Sequence, residues 1–92
     1  MPRVRVKYFG KVRSSTGKSE EEIDFSGNTI NDLLKYLSEI YGQKFSKQIF
    51  AKDGKLANDI IILLNHKSVG DNLNIQLSDG DTISILPFVS GG

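Results

Sequence analysis

The sequence contains no cysteine, and this absence removes several kinds of chemistry at once. Disulfides, thiolate nucleophiles, zinc–thiolate sites and iron–sulfur clusters all need cysteine, so we expect a chain that folds in the reducing cytoplasm. The single histidine, His66, rules out a two-histidine metal motif within one chain. No apolar run approaches the roughly 20 residues of a membrane helix, and residues 1–6 lack the apolar stretch of a signal peptide. We therefore expect a cytoplasmic protein with no membrane partner.

Acidic and basic residues nearly balance, with 12 Lys and Arg against 11 Asp and Glu and a net charge of +1. This balance argues against a polybasic nucleic-acid binder and against an acidic tail. Six cations lie between Arg3 and Lys18 with no acid among them, but residues 20–24 contribute four acids directly afterwards. If the two stretches pair as strands, these acids compensate most of the positive field. We therefore expect no nucleic-acid partner, and the 92 residues fit one domain.

The first two segments are predicted to form a β-hairpin. Apolar residues alternate with three cations over residues 3–8 and with three acids over residues 20–25, which is the period-two pattern of half-buried strands. Pairing of these strands would place the carboxylates opposite the cations on the solvent side. The connection, residues 10–17, is long for a tight turn and is expected to hold a helical turn with Val12 directed inward.

A long amphipathic helix is predicted to begin after Thr29 as the N-cap, with Asp32 at the third helical position, where the helix dipole favours an acid. Gly42 supplies its end. Residues 44–51 predict a second short helix, and residues 52–55 predict a turn. The apolar residues recur at helical spacing and are expected to form one stripe that packs on a sheet. The stripe comprises Ile30, Leu33, Leu34, Leu37, Ile40 and Tyr41.

The second half of the chain is predicted to add strands to the sheet. Residues 60–64 are five consecutive aliphatic residues and predict a buried strand. Residues 65–67 form a turn, and Val69 opens a short return strand. Residues 78–81 are a strong turn signal before the last strand, residues 82–86, whose ladder Pro87 ends. One main amphipathic helix on a mixed sheet describes an α+β roll.

The sequence does not support either of two catalytic motifs. Thr16-Gly17-Lys18-Ser19 resembles the end of a phosphate-binding P-loop, but Val12 stands where a glycine is required and a strand follows instead of a helix. No nucleophile-elbow sequence supports a Ser-His-Asp triad, and His66 lies in a predicted solvated turn. We therefore expect a non-catalytic protein or subunit, with no self-contained active site, no metal and no intrinsically bound cofactor.

Residues 87–92 are predicted to leave the folded domain, residues 1–86, as an extended tail. Gly91 and Gly92 have no side chains, so they can thread an extended backbone through a channel too narrow for other residues. The Gly92 α-carboxylate has an ordinary pKa of roughly 3.5 and is an anionic nucleophile at neutral pH. An enzyme that positions it can direct it at the α-phosphate of ATP, which gives an acyl-adenylate open to sulfur or to an amine. The alternative is an inert, frayed terminus.

Several segments together resemble the ubiquitin-like sulfur carriers, most closely the small subunit of molybdopterin synthase and the archaeal small modifiers. Residues 4–13 (VRVKYFGKVR) resemble the first strand and turn of this family, residues 64–69 (LNHKSV) the central strand and turn, and residues 77–83 (LSDGDTI) the turn into the last strand. Val89-Ser90-Gly91-Gly92 completes the resemblance, which covers nearly the whole chain. It implies a β-grasp (ubiquitin-like) fold.

The resemblance also implies partners and a role for the tail. A ubiquitin-activating-type adenylyltransferase would use ATP to activate Gly92, and a persulfide would convert the activated group to a thiocarboxylate. The thiocarboxylate would donate sulfur inside the large catalytic subunit of molybdopterin synthase, in molybdenum cofactor biosynthesis, with Gly92 as the acyl carrier and Gly91 as the slender neck. The family usually has two prolines before Val89, whereas Phe88 takes the second place here, and residues 43–59 look longer than in minimal carriers.

Two other functions remain open at this point. A protein modifier would share the activation step but would join Gly92 to the amine of a target lysine. A non-covalent β-grasp interaction module would need no free carboxylate at all.

A partner surface follows from the strand pattern itself. Phe9, Leu86 and Phe88 fall on the strand faces opposite the apolar residues that build the core. The first and last strands of a β-grasp sheet are parallel neighbours, so these three residues would cluster beside the tail and mark a docking surface. The alternative is that a loop or the second helix covers them.

Overall fold

The computed structural model describes residues 2–88, and within them strands and helices follow in the order β-α-β-α-α-β-β-β. Met1 and residues 89–92 lie outside the described residues. The strands are β1 (Arg3–Tyr8), β2 (Glu20–Asp24), β3 (Ile60–Leu64), β4 (Lys67–Ser68) and β5 (Thr82–Pro87), and the helices are α1 (Gly10–Thr16), α2 (Ile30–Tyr41) and α3 (Gln43–Ile49).

The five strands form one mixed sheet in the order β2-β1-β5-β3-β4. β1 and β5, the first and last strands, pair in parallel, and the other neighbours pair antiparallel. One face of the sheet carries the core, which the helices cover. This architecture confirms the predicted α+β roll with a mixed sheet. The core residues that the strands contribute include Val4, Val6, Tyr8, Ile23, Ile60, Ile62, Ile83 and Ile85.

The β1–β2 hairpin pairs in the predicted register, which sets cations opposite acids on the outer face of the sheet. Arg3 Nε lies 2.9 Å from Asp24 Oδ1, and Arg5 forms ion pairs with Glu20 and, at 2.7 Å, with Glu22. The hydrogen bond from Arg3 lowers the pKa of the Asp24 carboxyl. Because exposed ion pairs contribute about 1 kcal/mol at most, their main effect is to neutralise this basic stretch locally.

α2 begins with a capping box, as predicted. Thr29 Oγ1 accepts a hydrogen bond from the Asp32 backbone N–H at 3.2 Å, and Asp32 Oδ2 accepts from the backbone N–H groups of Asn28 and Thr29. These bonds hold the pKa of Asp32 below its usual range. The helix ends at Gly42, whose φ of +82° suits glycine. Its buried residues are Ile30, Leu33, Leu34 and Leu37.

The predicted stripe is wrong at Ile40, whose residue surface is 51% exposed. At 100° per residue, Ile40 lies about 80° around the helix from Ile30, at the edge of the stripe. It also belongs to the last turn of α2, directly before the chain turns into α3. The next residue, Tyr41, packs against the core and is half-buried.

The two shorter helices that were predicted from sequence are confirmed. α1 occupies the hairpin connection and buries Val12 completely. α3 spans Gln43–Ile49, slightly earlier than the predicted residues 44–51, and buries Phe45 and Ile49. It packs against α2 and α1.

Two predicted strand boundaries are wrong. The return strand is Lys67–Ser68 rather than a strand opened by Val69, because Asn65 adopts a φ of 59° and helps to close a two-residue turn. Pro87 does not end the pairing of β5. A proline removes only its own N–H, and the N–H of Phe88 still donates to the carbonyl of Asp59 at 2.7 Å.

Candidate functional site

The predicted carrier residues Val89, Ser90, Gly91 and Gly92 lie outside the described residues. The structure does describe the point from which they continue, at the end of β5. Pro87 pairs with Ile60 at the edge of the β3 ladder, and Phe88 is held by its hydrogen bond to Asp59. The last described residue, Phe88, is therefore held at a defined place, and Pro87 before it lies beside the start of α1.

Phe9, Leu86 and Phe88 are brought together at this end of the sheet. The parallel register sets Tyr8 beside Ile85, and the Phe9 N–H continues the pairing by donating to the Ile85 carbonyl at 3.1 Å. Phe9 therefore lies next to Leu86. Phe9 is 41% exposed and Phe88 is 50% exposed, whereas Leu86 is half-buried.

β3 extends this apolar surface with two residues that were not predicted to belong to it. Ile61 pairs with Leu86, and Leu63 pairs with Ser84, both on the outer face because Ile62 and Ile85 lie in the core. The signal was present in the sequence, since alternation divides any buried aliphatic strand between two faces. We call this surface the outer apolar patch, and it comprises Phe9, Ile61, Leu63, Leu86 and Phe88.

The helices pack on the opposite, core-facing side of the sheet. α3 directs Phe45 and Ile49 into the core and contacts α2 and α1. Phe9 and Phe88 remain exposed in this arrangement. On the outer face this apolar surface borders Ser84, which pairs with Leu63, and Lys7, which pairs with Ser84. An apolar surface with a polar border has the composition of a protein-docking surface.

A partly buried polar cluster lies on the core side of the hairpin and was not predicted. Glu21 Oε2 accepts hydrogen bonds from the hydroxyl groups of Tyr8, at 2.6 Å, and Tyr41, while Lys18 Nζ lies 3.1 Å from Glu21 Oε1. Alternation places Glu21 on the same face as Ile23, so its inward position could have been read from the sequence. The tyrosines that meet it come from β1 and from the end of α2, and only the fold brings them there.

The pKa values in this cluster follow from its contacts. Burial alone raises the pKa of Glu21, but hydrogen bonds from Tyr41, Tyr8 and Lys18 outweigh burial and hold it below the ordinary value of 4.5. Burial, followed by the hydrogen bond to Glu21, raises the pKa of the Tyr8 hydroxyl. Both carboxylate oxygens of Glu21 have donor groups as partners. The cluster therefore links α2 to the β1–β2 hairpin and is not a proton-transfer site.

The residues whose catalytic roles were rejected in the sequence analysis lie in structural positions. Thr16 is buried at the end of α1 and its hydroxyl bonds to backbone carbonyl groups, while Lys18 pairs with Glu21. His66 is exposed in its turn. Among residues 2–88, no cluster of three or more His, Asp or Glu side chains could hold a metal ion. No helix within those residues has the length and apolar character needed to cross a membrane.

Comparison with known proteins agrees with this fold. The profile of the ThiS family matches residues 6–92. A protein of Archaeoglobus fulgidus described as a sulfur carrier is 37% identical over 86 residues, which cover 89% of this chain and 97% of that protein.

Two solved structures extend the comparison. Small archaeal modifier protein 1 of Methanosarcina acetivorans is 34% identical and superposes with a TM-score of 0.83, covering 100% of this chain and 98% of its own. A protein of Pyrococcus furiosus described as molybdopterin converting factor subunit 1 is 30% identical with a TM-score of 0.76, covering 97% of this chain and 100% of its own.

The fold is therefore a ubiquitin-like β-grasp fold with an exposed apolar patch beside the end of its last strand. The chain belongs to the ThiS family of ubiquitin-like sulfur carriers.

Proposed function

We propose that this sulfur carrier acts as the small subunit of molybdopterin synthase, delivering sulfur to a pterin precursor from a thiocarboxylate on Gly92. The observation that carries the proposal is the extent of the family match, which runs to residue 92 and so includes Gly91 and Gly92. The similarity to the Pyrococcus furiosus protein supports the choice of acceptor.

The chemistry begins with adenylation of the Gly92 carboxylate. A carboxylate oxygen attacks the α-phosphorus of ATP, the bond to the β-phosphate oxygen breaks, and pyrophosphate leaves. The terminal sulfur of a persulfide then attacks the acyl carbon and displaces AMP. A second thiol cleaves the resulting sulfur–sulfur bond, so that a disulfide forms on the donor side and a thiocarboxylate remains on Gly92. No group of this chain other than the tail takes part in these steps.

The outer apolar patch is the surface we assign to partner binding. The patch includes Phe88, from which residues 89–92 continue, so a partner that covers Phe9, Leu86 and Phe88 also receives the tail. Two partners would bind this surface in turn: first the ubiquitin-activating-type adenylyltransferase, and then the large subunit of molybdopterin synthase.

A second candidate function is protein modification through the same activated Gly92. It is favoured by the similarity to small archaeal modifier protein 1 of Methanosarcina acetivorans, which extends over the whole of this chain. Here a lysine amine attacks the acyl carbon of the adenylate, AMP leaves and an isopeptide bond forms. The two functions share every step up to the adenylate and differ only in the nucleophile that follows.

Intact-mass spectrometry of the protein purified from its own cells tests both functions. A carrier is expected to show a species heavier by about 16 Da, because sulfur replaces oxygen, and a modifier is expected to show conjugates heavier by whole target proteins. The matched control is a variant lacking Gly92, which should show neither species. If the unaltered protein shows neither species under conditions that require molybdenum cofactor, both functions are wrong and an interaction module becomes the better account.

A further inference from the structure

Three parts of the chain meet at the point where β5 ends. On one side, the Phe88 N–H donates to the carbonyl of Asp59 at 2.7 Å, just before β3 begins. The Asp59 side chain is itself held by Lys11 of α1, whose Nζ lies 2.6 Å from Asp59 Oδ2. On the other side, Gly10 at the start of α1 lies against the ring of Pro87.

Gly10 is the residue that permits this close approach. It has a φ of +59°, and a Cβ built at this position would lie 2.9 Å from Pro87 Cγ and 3.3 Å from Cδ. A glycine is therefore required both by the backbone conformation and by the space available. Gly17, at the other end of the same helix, has a similar φ of +73°, but a Cβ there would have nothing within 4 Å.

We propose that Gly10, Lys11 and Asp59 are positioning residues that fix the direction in which the chain leaves the sheet at Phe88. The proposal rests on the function argued above, in which the residues after Phe88 carry a carboxylate to the α-phosphate of ATP. Four residues can span at most about 14 Å, so the range of directions open to the chain at Phe88 sets the volume within which the Gly92 carboxylate can lie.

Greater freedom of the backbone at Phe88 would act mainly on binding of the carrier to the activating enzyme. When only a fraction of carrier molecules direct the tail correctly, the apparent affinity falls by that fraction, whereas the reaction of correctly bound molecules is unchanged. We therefore expect KM for the carrier to rise while kcat stays the same. Simple destabilisation of the fold would instead lower the concentration of active protein.

The test compares Gly10→Ala with Gly17→Ala, because both place alanine at a positive φ and only the first adds contact with Pro87. Two quantities are measured: amide hydrogen exchange at Phe88, and pyrophosphate release by the ubiquitin-activating-type adenylyltransferase of the same cells as carrier concentration is varied. For Gly10→Ala we expect exchange at Phe88 to be faster and KM higher, each by about tenfold, the factor expected when one backbone residue is freed. For Gly17→Ala we expect both within about twofold of the original protein.

Equal KM values for the two glycine variants would overturn the positioning role. A third variant, Lys11→Met, keeps Gly10 and removes only the ion pair with Asp59, and is expected to raise KM at least twofold, so the proposal stays testable even if Gly10→Ala does not fold. An unaltered protein that supports no pyrophosphate release would refute the proposed function instead. In that case amide hydrogen exchange at Phe88, which needs no enzyme, still decides whether Gly10 restrains the backbone at Phe88.

Discussion

Replacement of Leu37 by alanine is expected to destabilise the domain strongly, because Leu37 is fully buried where α2 meets the sheet. Removal of a leucine side chain from a packed core costs about 2 to 5 kcal/mol, through lost transfer free energy and the cavity left behind. Small domains are stable by only about 5 to 15 kcal/mol. The change therefore removes a large share of the free energy of unfolding.

Ile40, three residues later in the same helix, provides the matched control. Its residue surface is 51% exposed, so truncation to alanine removes little buried area and leaves no cavity. Alanine also has a higher helix propensity than isoleucine by a few tenths of a kcal/mol, which offsets part of the lost contact. We expect the Ile40→Ala variant to lie within about 0.5 kcal/mol of the original protein.

Urea unfolding followed by far-ultraviolet circular dichroism measures both variants, with the midpoint and the slope fitted separately. We expect a much lower midpoint for Leu37→Ala with an unchanged slope, since the area exposed on unfolding is nearly the same. The conservative change Leu37→Met should cost less than about 1.5 kcal/mol. A loss below about 1 kcal/mol for Leu37→Ala, or equal losses for Leu37→Ala and Ile40→Ala, would show that the buried face of α2 has been wrongly assigned.

Three further predictions concern pH, docking and the tail. The free energy of unfolding should fall as the pH drops below about 4.5, because the pKa of Glu21 is lowered in the folded state and its stabilising contribution is lost as the carboxylate is protonated. Urea titrations from pH 7 to pH 3 should show a shallower fall for Glu21→Gln, and identical slopes would contradict the linkage. Phe9→Ala combined with Leu86→Ala should weaken binding to the proposed partner, the large subunit of molybdopterin synthase, by about 1 to 3 kcal/mol per residue in calorimetry, without loss of thermal stability. Tyr36→Ala, an exposed aromatic residue on α2, is the control that should bind normally. Gly91→Val should abolish pyrophosphate release while leaving the circular dichroism spectrum unchanged, because a β-branched side chain blocks a channel sized for glycine; sustained release would mean that no narrow channel receives the tail.

The hairpin and the start of α2 could be predicted because their signals are local. Alternation assigns Val4, Val6 and Tyr8 to one face whatever the rest of the chain does. The Thr29–Asp32 capping box likewise depends on residues only three apart. The parallel pairing of β1 with β5 came instead from the family resemblance, since nothing within either strand specifies its partner.

What the sequence did not reveal depends on contacts between distant segments. In the sequence, Glu21 is one of four acids in residues 20–24. Its role is seen only in the fold, where β1 and α2 bring Tyr8 and Tyr41 within hydrogen-bond distance of it. Alternation separates Ile61 from Ile60 and Ile62, but only the pairing of Ile61 with Leu86 shows that Ile61 lies on the outer face beside the predicted patch. Helical spacing alone placed Ile40 in the buried stripe, because that pattern does not show how far the sheet extends along the helix.

Phe88 stands where the family resemblance implies a second proline, and this residue affects both the backbone and the surface. A proline at this position would stiffen the tail through its ring, but it would have no N–H to donate to the carbonyl of Asp59. Phenylalanine keeps that donor, so pairing of β5 with the chain before β3 continues one residue beyond Pro87. Its half-exposed side chain also adds apolar area to the outer apolar patch. Phe88 therefore contributes both a hydrogen bond at the end of β5 and apolar area to the surface that we assign to partner binding.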